Sequence, residues 1–158
     1  MTERSDVVLR SYESRDLDAI VELDAECFDP PFRFSKTAMR RFAEADNAWV
    51  VVAVAEGALA GFCIVHMEQA ESLDVGYVVT IDVAVGFRRR GLGEQMLAAG
   101  EAWVRASGGA GMMLHVFVKN DAAVRFYERL AYKRVGAQRG FYGPGIDAAM
   151  YWKEFSET

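Results

Sequence analysis

Val83-Ala84-Val85-Gly86-Phe87-Arg88-Arg89-Arg90-Gly91-Leu92-Gly93-Glu94 is the stretch that decides how this chain of 158 residues is read. A β-branched apolar run from Val75 to Val85 ends there, and arginines and glycines follow. The pattern then changes to helical spacing, with Leu92, Met96, Ala99 and Trp103 on one stripe. The first turn of a helix has amides without intrahelical partners and carries about half a unit of positive charge. Glycines at its mouth let the backbone close on an anion. Arg88, Arg89, Arg90, Gly91, Leu92, Gly93 and Glu94 therefore describe a cradle suited to a pyrophosphate. Two rival glycine motifs fail on spacing. A dinucleotide fingerprint needs a third glycine where Met96 stands, and a P-loop needs Lys-Ser/Thr where Glu94-Gln95 stands. The plainer alternative, a solvated basic turn closing a strand–helix connection, is left open by these residues alone.

Outward from this loop the chain reads as α/β (or α+β), with a mixed, largely antiparallel sheet of about seven strands and about four helices. Towards the N-terminus, Val7–Arg10 reads as a strand. A helix follows from an N-cap at Ser14 to a stop at Asp29-Pro30-Pro31. A second helix starts at Ser35 and buries Ala38, Met39 and Phe42. Trp49–Ala55 and Leu59–Met67 read as a hairpin turning at Glu56-Gly57. Towards the C-terminus, Gly108-Gly109 ends the helix that starts at Leu92, and Met112–Val118 is a strand. Asn120 caps a short helix bearing Ala123, Phe126, Tyr127 and Leu130. Ala131–Ala137 and Ala148–Trp152 read as two further strands separated by a Gly/Pro loop. No linker or repeat interrupts residues 1–158, so one domain is expected.

Composition narrows the function classes. With 18 basic and 23 acidic residues the net charge is −5, which argues against generic binding to nucleic acid or to anionic membranes. No apolar run reaches the roughly 20 residues of a membrane span, and Met1-Thr2-Glu3-Arg4-Ser5-Asp6 lacks a leader's apolar stretch, so a cytoplasmic protein is expected. Cys27 and Cys63 read as reduced core thiols, and with only two histidines no metal site is expected.

Arg88-x-x-Gly91-x-Gly93, following Val83-x-Val85, resembles the acetyl-CoA pyrophosphate motif of GNAT-superfamily N-acetyltransferases. Asn120-x-x-Ala123-x-x-Phe126-Tyr127-x-x-x-Ala131-Tyr132 resembles a second block of that superfamily, with Ala131-Tyr132 where Gly-Phe is usual. Within it the chain is similar to protein N-terminal acetyltransferases of the RimI and NatE type. Phe28-Asp29-Pro30-Pro31-Phe32-Arg33-Phe34-Ser35 and Arg139-Gly140-Phe141-Tyr142-Gly143-x-x-x-Asp147-Ala148 resemble their two substrate loops. The resemblance implies acetyl-CoA as cosubstrate, held by Val83, Ala84, Val85, the 88–94 loop, Asn120 and Tyr127. It also implies a peptide N-terminus bound by Pro31, Phe32, Phe141 and Tyr142.

Acetyl transfer to an amine needs a neutral nitrogen, a polarised carbonyl and a stabilised leaving group. His115 has the side-chain chemistry of a base at neutral pH. RimI-type enzymes carry glutamate at its position and NatE-type enzymes carry histidine. Tyr77, eleven residues before Arg88, matches the strand tyrosine that cooperates with that histidine. Tyr127 corresponds to the general acid facing the CoA sulfur. Each also has a plain structural reading: a core histidine, a strand aromatic and a helix-stripe aromatic. Acetylation of another amine, small-molecule or lysine, and a non-catalytic CoA-binding regulatory domain remain alternatives. The sequence leaves monomer and homodimer equally open.

Overall fold

The structure, a computed structural model, describes residues 6–156. Met1-Thr2-Glu3-Arg4-Ser5, most of the segment read as lacking a leader, lies outside them. The described chain runs β1 (Val8–Ser11), a 3-10 turn (Ser14–Asp16), α1 (Leu17–Cys27), α2 (Lys36–Ala43), β2 (Ala48–Ala55), β3 (Ala58–Ala70) and β4 (Leu73–Val83). A 3-10 turn (Val85–Phe87), α3 (Leu92–Ala106), β5 (Gly111–Phe117), α4 (Asp121–Arg129), β6 (Lys133–Gly143) and β7 (Ile146–Glu154) complete it. The strands form one mostly antiparallel sheet in the order β1-β2-β3-β4-β5-β7-β6. Within it β4 and β5 are parallel. Seven strands and four α-helices among the described residues agree with the architecture expected from sequence. No helix among them is long and apolar enough to cross a membrane.

The chain divides into two compact units, one comprising residues up to Val65 together with Val79–Gly100, the other His66–Val78 and everything from Glu101 onward. In the first, Leu17, Ile20 and Leu23 of α1 and Met39 and Ala43 of α2 join Val52, Phe62 and Ile64 in one buried cluster. Ser35 caps α2 as expected, its hydroxyl accepting from the Ala38 amide at 3.1 Å. Ser14 is not the cap of α1. Glu13 and Asp16 cap the preceding turn reciprocally, and Arg10 grips Asp16 with two 2.8 Å bonds. The β2–β3 turn places both Glu56 and Gly57 at positive φ, the geometry of a two-residue hairpin.

The same unit buries two carboxylates. Asp24 on α1 and Asp82 on β4 are 0% and 1% exposed. One Asp24 oxygen accepts the Phe34 amide at 2.7 Å, and one Asp82 oxygen accepts the Thr80 hydroxyl at 2.5 Å. Their other oxygens, Asp24 Oδ1 and Asp82 Oδ2, are buried with no donor. Two adjacent carboxylates in dry surroundings do not both ionise, and a shared proton satisfies both orphaned oxygens. Burial first, and Asp24 second, raise Asp82 well above the usual carboxylate range. The pair ties the 28–35 segment, through the Phe34 amide, to α1.

In the second unit β5 is paired along its length with β7, and β7 with β6. The Leu92 helix ends as expected: Gly108 sits at φ +88°, and the amides of Gly108 and Gly109 bond to Arg105 O and Val104 O. That is a Schellman motif. α4 ends in the same way, the amides of Ala131 and Tyr132 bonding to Glu128 O and Tyr127 O, but the left-handed residue at φ +74° is Ala131. This accounts for the glycine usual at that point in the resembled family. β6 is a correction: it continues to Gly143, through residues expected to be loop.

Two stability outcomes follow from these observations. Ala131→Gly relieves the left-handed alanine and, after the entropy glycine adds to the unfolded chain, raises stability by about 0.5–1 kcal/mol; a lowered melting temperature contradicts this. For Asp82, a raised folded-state pKa contributes stability that is full below the unfolded value and lost as pH rises through the folded one. Asp82→Asn replaces the shared proton with a permanent donor, so its stability relative to the native chain increases with pH in denaturant titrations, by about 1–3 kcal/mol at the alkaline end. A difference independent of pH excludes the shared proton.

Candidate active site

Tyr77 and His115 are brought together by strand register. The parallel ladder sets Tyr77 of β4 opposite Met113 of β5, and His115 lies two residues further along β5 on the same, less buried face. The Tyr77 hydroxyl lies 2.7 Å from His115 Nδ1. The other ring nitrogen, Nε2, lies 3.1 Å from Gln138 Oε1 on β6. On the intervening strand His115 faces Met150 and Gln138 faces Ala148, so the carboxamide reaches diagonally past β7.

The second aromatic loop is built by a bulge. Gln138 pairs with Ala148 and Gly143 with Ile146, so residues 139–142 buckle out of β6 opposite Asp147 alone. Gly140 turns at φ +67°, and its amide is held by Asp147 Oδ1 at 2.8 Å. The buckle lays the Phe141 ring flat on the imidazole, with centroids 4.1 Å apart and planes 4° from parallel. Phe141 remains 39% exposed on its other side. Tyr142 meets both Phe141 and Phe117 edge-on.

These surroundings set the ionisation states. Burial lowers His115 below its ordinary 6.5, opposed by the Gln138 hydrogen bond, so the imidazole is neutral at physiological pH. Burial raises Tyr77 above the normal tyrosine range, and pushes Tyr142 up to about 12. Both hydroxyls keep their protons. A neutral imidazole bonded to a protonated phenol can accept a proton and relay one.

The residues read as an anion cradle belong to the first unit. Gly91, at φ +77°, leads into α3, and a Cβ built there would meet nothing within 4 Å. The first-turn amides of Leu92, Gly93 and Glu94 have no intrahelical acceptor by helix geometry. Arg89 is exposed, at φ +63°. Two neighbours make bonds within the chain. Arg88, though exposed, has its Nε donating to Val83 O at 3.1 Å and its Nη2 lying 3.7 Å from the Cys27 sulfur. The Ala84 amide donates to Ala60 O at 2.8 Å. Val85 is 73% exposed, and the Arg90 guanidinium sits 5.3 Å above the Phe87 ring.

The remaining candidates are placed as follows. Pro31 is exposed and Phe32 half-buried, with the Phe32 amide on Asp29 O at 2.8 Å. The Asn120 carbonyl caps α4 through the Ala123 amide at 3.2 Å, as its helix-capping reading requires. Tyr127 is half-buried and packs edge-on against Phe126 and Tyr132. Cys27 and Cys63 are free thiols. Sequence reading missed Gln138; Asp147, quoted in the second resembled loop, is the residue that holds the Gly140 amide.

The chain is similar to several known proteins. An N-alpha-acetyltransferase of Saccharolobus solfataricus is 27% identical over 154 residues, 90% of each chain. A mycothiol acetyltransferase of Thermobispora bispora is 39% identical over 139 residues, 81% of this chain but only 47% of that protein. Among solved structures, Arabidopsis thaliana NAA60 in complex with acetyl-CoA shares the fold, with a TM-score of 0.82 at 19% identity over 94% of this chain and 98% of that one. Residues 17–132 match the Acetyltransferase (GNAT) family, and the chain belongs to it.

Proposed function

We propose that this acetyltransferase moves an acetyl group from acetyl-CoA to the α-amino group of a peptide or protein N-terminus. The observation that carries the reading is the Tyr77–His115 contact at 2.7 Å, with a neutral imidazole at its end. An ammonium must lose a proton before its nitrogen can attack. Delivering the proton of an α-ammonium (pKa about 7.8) to an ordinary imidazole costs about 2 kcal/mol, whereas a lysine (about 10.4) costs about 5. The lowered pKa of His115 adds equally to both. Such a base serves an N-terminus and serves lysine poorly.

The residues present fit acetyl-CoA. The amides of Leu92, Gly93 and Glu94, the open space at Gly91, and Arg89 and Arg90 would hold the pyrophosphate. Asn120 is a cofactor contact by the resemblance alone. Bound there, acetyl-CoA supplies the activated acyl group and a thiolate leaving group. By the resemblance, Tyr127 would be the general acid that protonates that sulfur. Phe141 and Tyr142 supply an apolar wall for a peptide backbone, and Pro31 and Phe32 a second. The N-alpha-acetyltransferase relative supports a peptide acceptor.

A second reading, a small-molecule primary amine as acceptor, is favoured by one observation: the 39% identical relative is named for mycothiol.

Incubating the full chain with acetyl-CoA, short peptides differing in their first residue, N-terminally blocked lysine peptides and small primary amines separates these readings. Mass shifts on free peptide N-termini are expected. Turnover on the small amines alone transfers the chain to the second reading, and turnover on neither contradicts both. His115→Ala is expected to lower kcat about 10²-fold, the scale of general base catalysis. Wild-type turnover in that variant makes His115 a packing residue. Gly91→Val forces a β-branched residue into left-handed backbone beside the cradle. It is expected to weaken acetyl-CoA binding about tenfold or more, read by calorimetry; unchanged affinity removes the cradle.

A further inference from the structure

We propose that Gln138 is a positioning residue that sets the direction of proton flow through the Tyr77–His115 pair. This rests on the acetyltransferase reading above and names the path its proton takes. A neutral imidazole has one N–H and one bare nitrogen. His115 Nε2 faces the Gln138 carbonyl oxygen, which only accepts, at 3.1 Å. The ring proton therefore sits on Nε2, and Nδ1 is the bare nitrogen. Nδ1 in turn faces the Tyr77 hydroxyl at 2.7 Å, so that hydroxyl donates. Both ring nitrogens are occupied and Phe141 covers one face of the ring. The open station on this chain is the lone pair of Tyr77 Oη.

The transfer then balances without any further reactant. The acceptor ammonium gives its proton to Tyr77 Oη, directly or through one water, while the original hydroxyl proton passes to His115 Nδ1. The amine becomes neutral, the tyrosine ends as it began, and the imidazolium carries one proton on each nitrogen, with Nε2–H still donating to Gln138. Burial keeps the Tyr77 hydroxyl protonated between turnovers, which such a relay requires. Were the carboxamide inverted, its NH₂ would face Nε2 and the ring proton would move to Nδ1, against Tyr77, closing the path. The Gln138 backbone is fixed for this task by its pairing with Ala148 and by the bulge that begins beside it.

The test uses the full chain with ¹⁵N-labelled histidine, whose nitrogen shifts report which ring atom holds the proton. The chain has two histidines, so a His66→Gln spectrum assigns His115. The native protein is expected to carry the proton on Nε2. Gln138→Leu is expected to populate the other tautomer and to lower kcat about tenfold or more with the KM for acetyl-CoA unchanged. Gln138→Glu, which keeps an acceptor and adds charge, is expected to retain the Nε2–H tautomer and move the acidic limb of kcat to higher pH. A native ring protonated on Nδ1, or a Gln138→Leu variant with native tautomer and native kcat, overturns the proposal. The nitrogen shifts need no substrate. If the native chain acetylates nothing, the acetyltransfer reading fails by itself while the tautomer result still decides the role of Gln138.

Discussion

The hydrogen bond between Tyr77 and His115 exists because β4 and β5 run parallel with Tyr77 opposite Met113. A shift of one residue in that register would turn either side chain to the opposite face of the sheet. Everything chemical in the second unit is arranged around the bond. Gln138 holds the far side of the imidazole, the β6 bulge lays Phe141 on its face, and Asp147 holds the bulge. Burial of the cluster lowers the imidazole and raises the phenol, so two neutral groups face one another at physiological pH. In the proposed reaction that state takes a proton, and by pKa takes it more readily from an α-ammonium than from lysine.

The task proposed for the first unit is different, holding a pyrophosphate on a chain whose net charge is −5. It does so with backbone more than with side chains. Arg88, the first residue of the arginine run, serves the loop itself by bonding to Val83 O. This ties the turn between β4 and α3 to the end of β4, and in the proposed function the first-turn amides of α3, with Arg89 and Arg90, are the groups left for the anion. The buried Asp24–Asp82 pair lies in the same unit and braces the 28–35 segment through the Phe34 amide. A proton shared between carboxylates there costs less than two separate charges in a dry interior.

The sequence carried much of this, unevenly. Helix ends were legible because proline, glycine and capping side chains act locally: Ser35, Asn120 and Gly108 do what their residue types dictate. The Tyr77–His115 pairing was legible through a resemblance, since eleven residues from Arg88 to Tyr77 have no physical meaning without a known fold. The course of β6 was not legible. Gln138-Arg139-Gly140-Phe141-Tyr142-Gly143 has the glycines of a loop and no apolar alternation, yet pairing with β7 holds it as a bulged strand. Nor were contacts between distant positions: Asp24 with Asp82, or Gln138 with His115, need tertiary structure to become neighbours. The Ala84 amide is a further case, because the partner it takes, Ala60, lies on another strand.

The most direct measurement is a pH titration of the His115 imidazole by NMR, set beside the pH dependence of kcat for a peptide N-terminus. A base whose pKa is lowered by burial stays neutral further into acid, so both the imidazole and the acidic limb of kcat are expected to titrate together, below the ordinary histidine value of 6.5. An imidazole that titrates above 6.5, or a kcat that ignores its titration, contradicts the role given to His115 and with it the proton path through Tyr77.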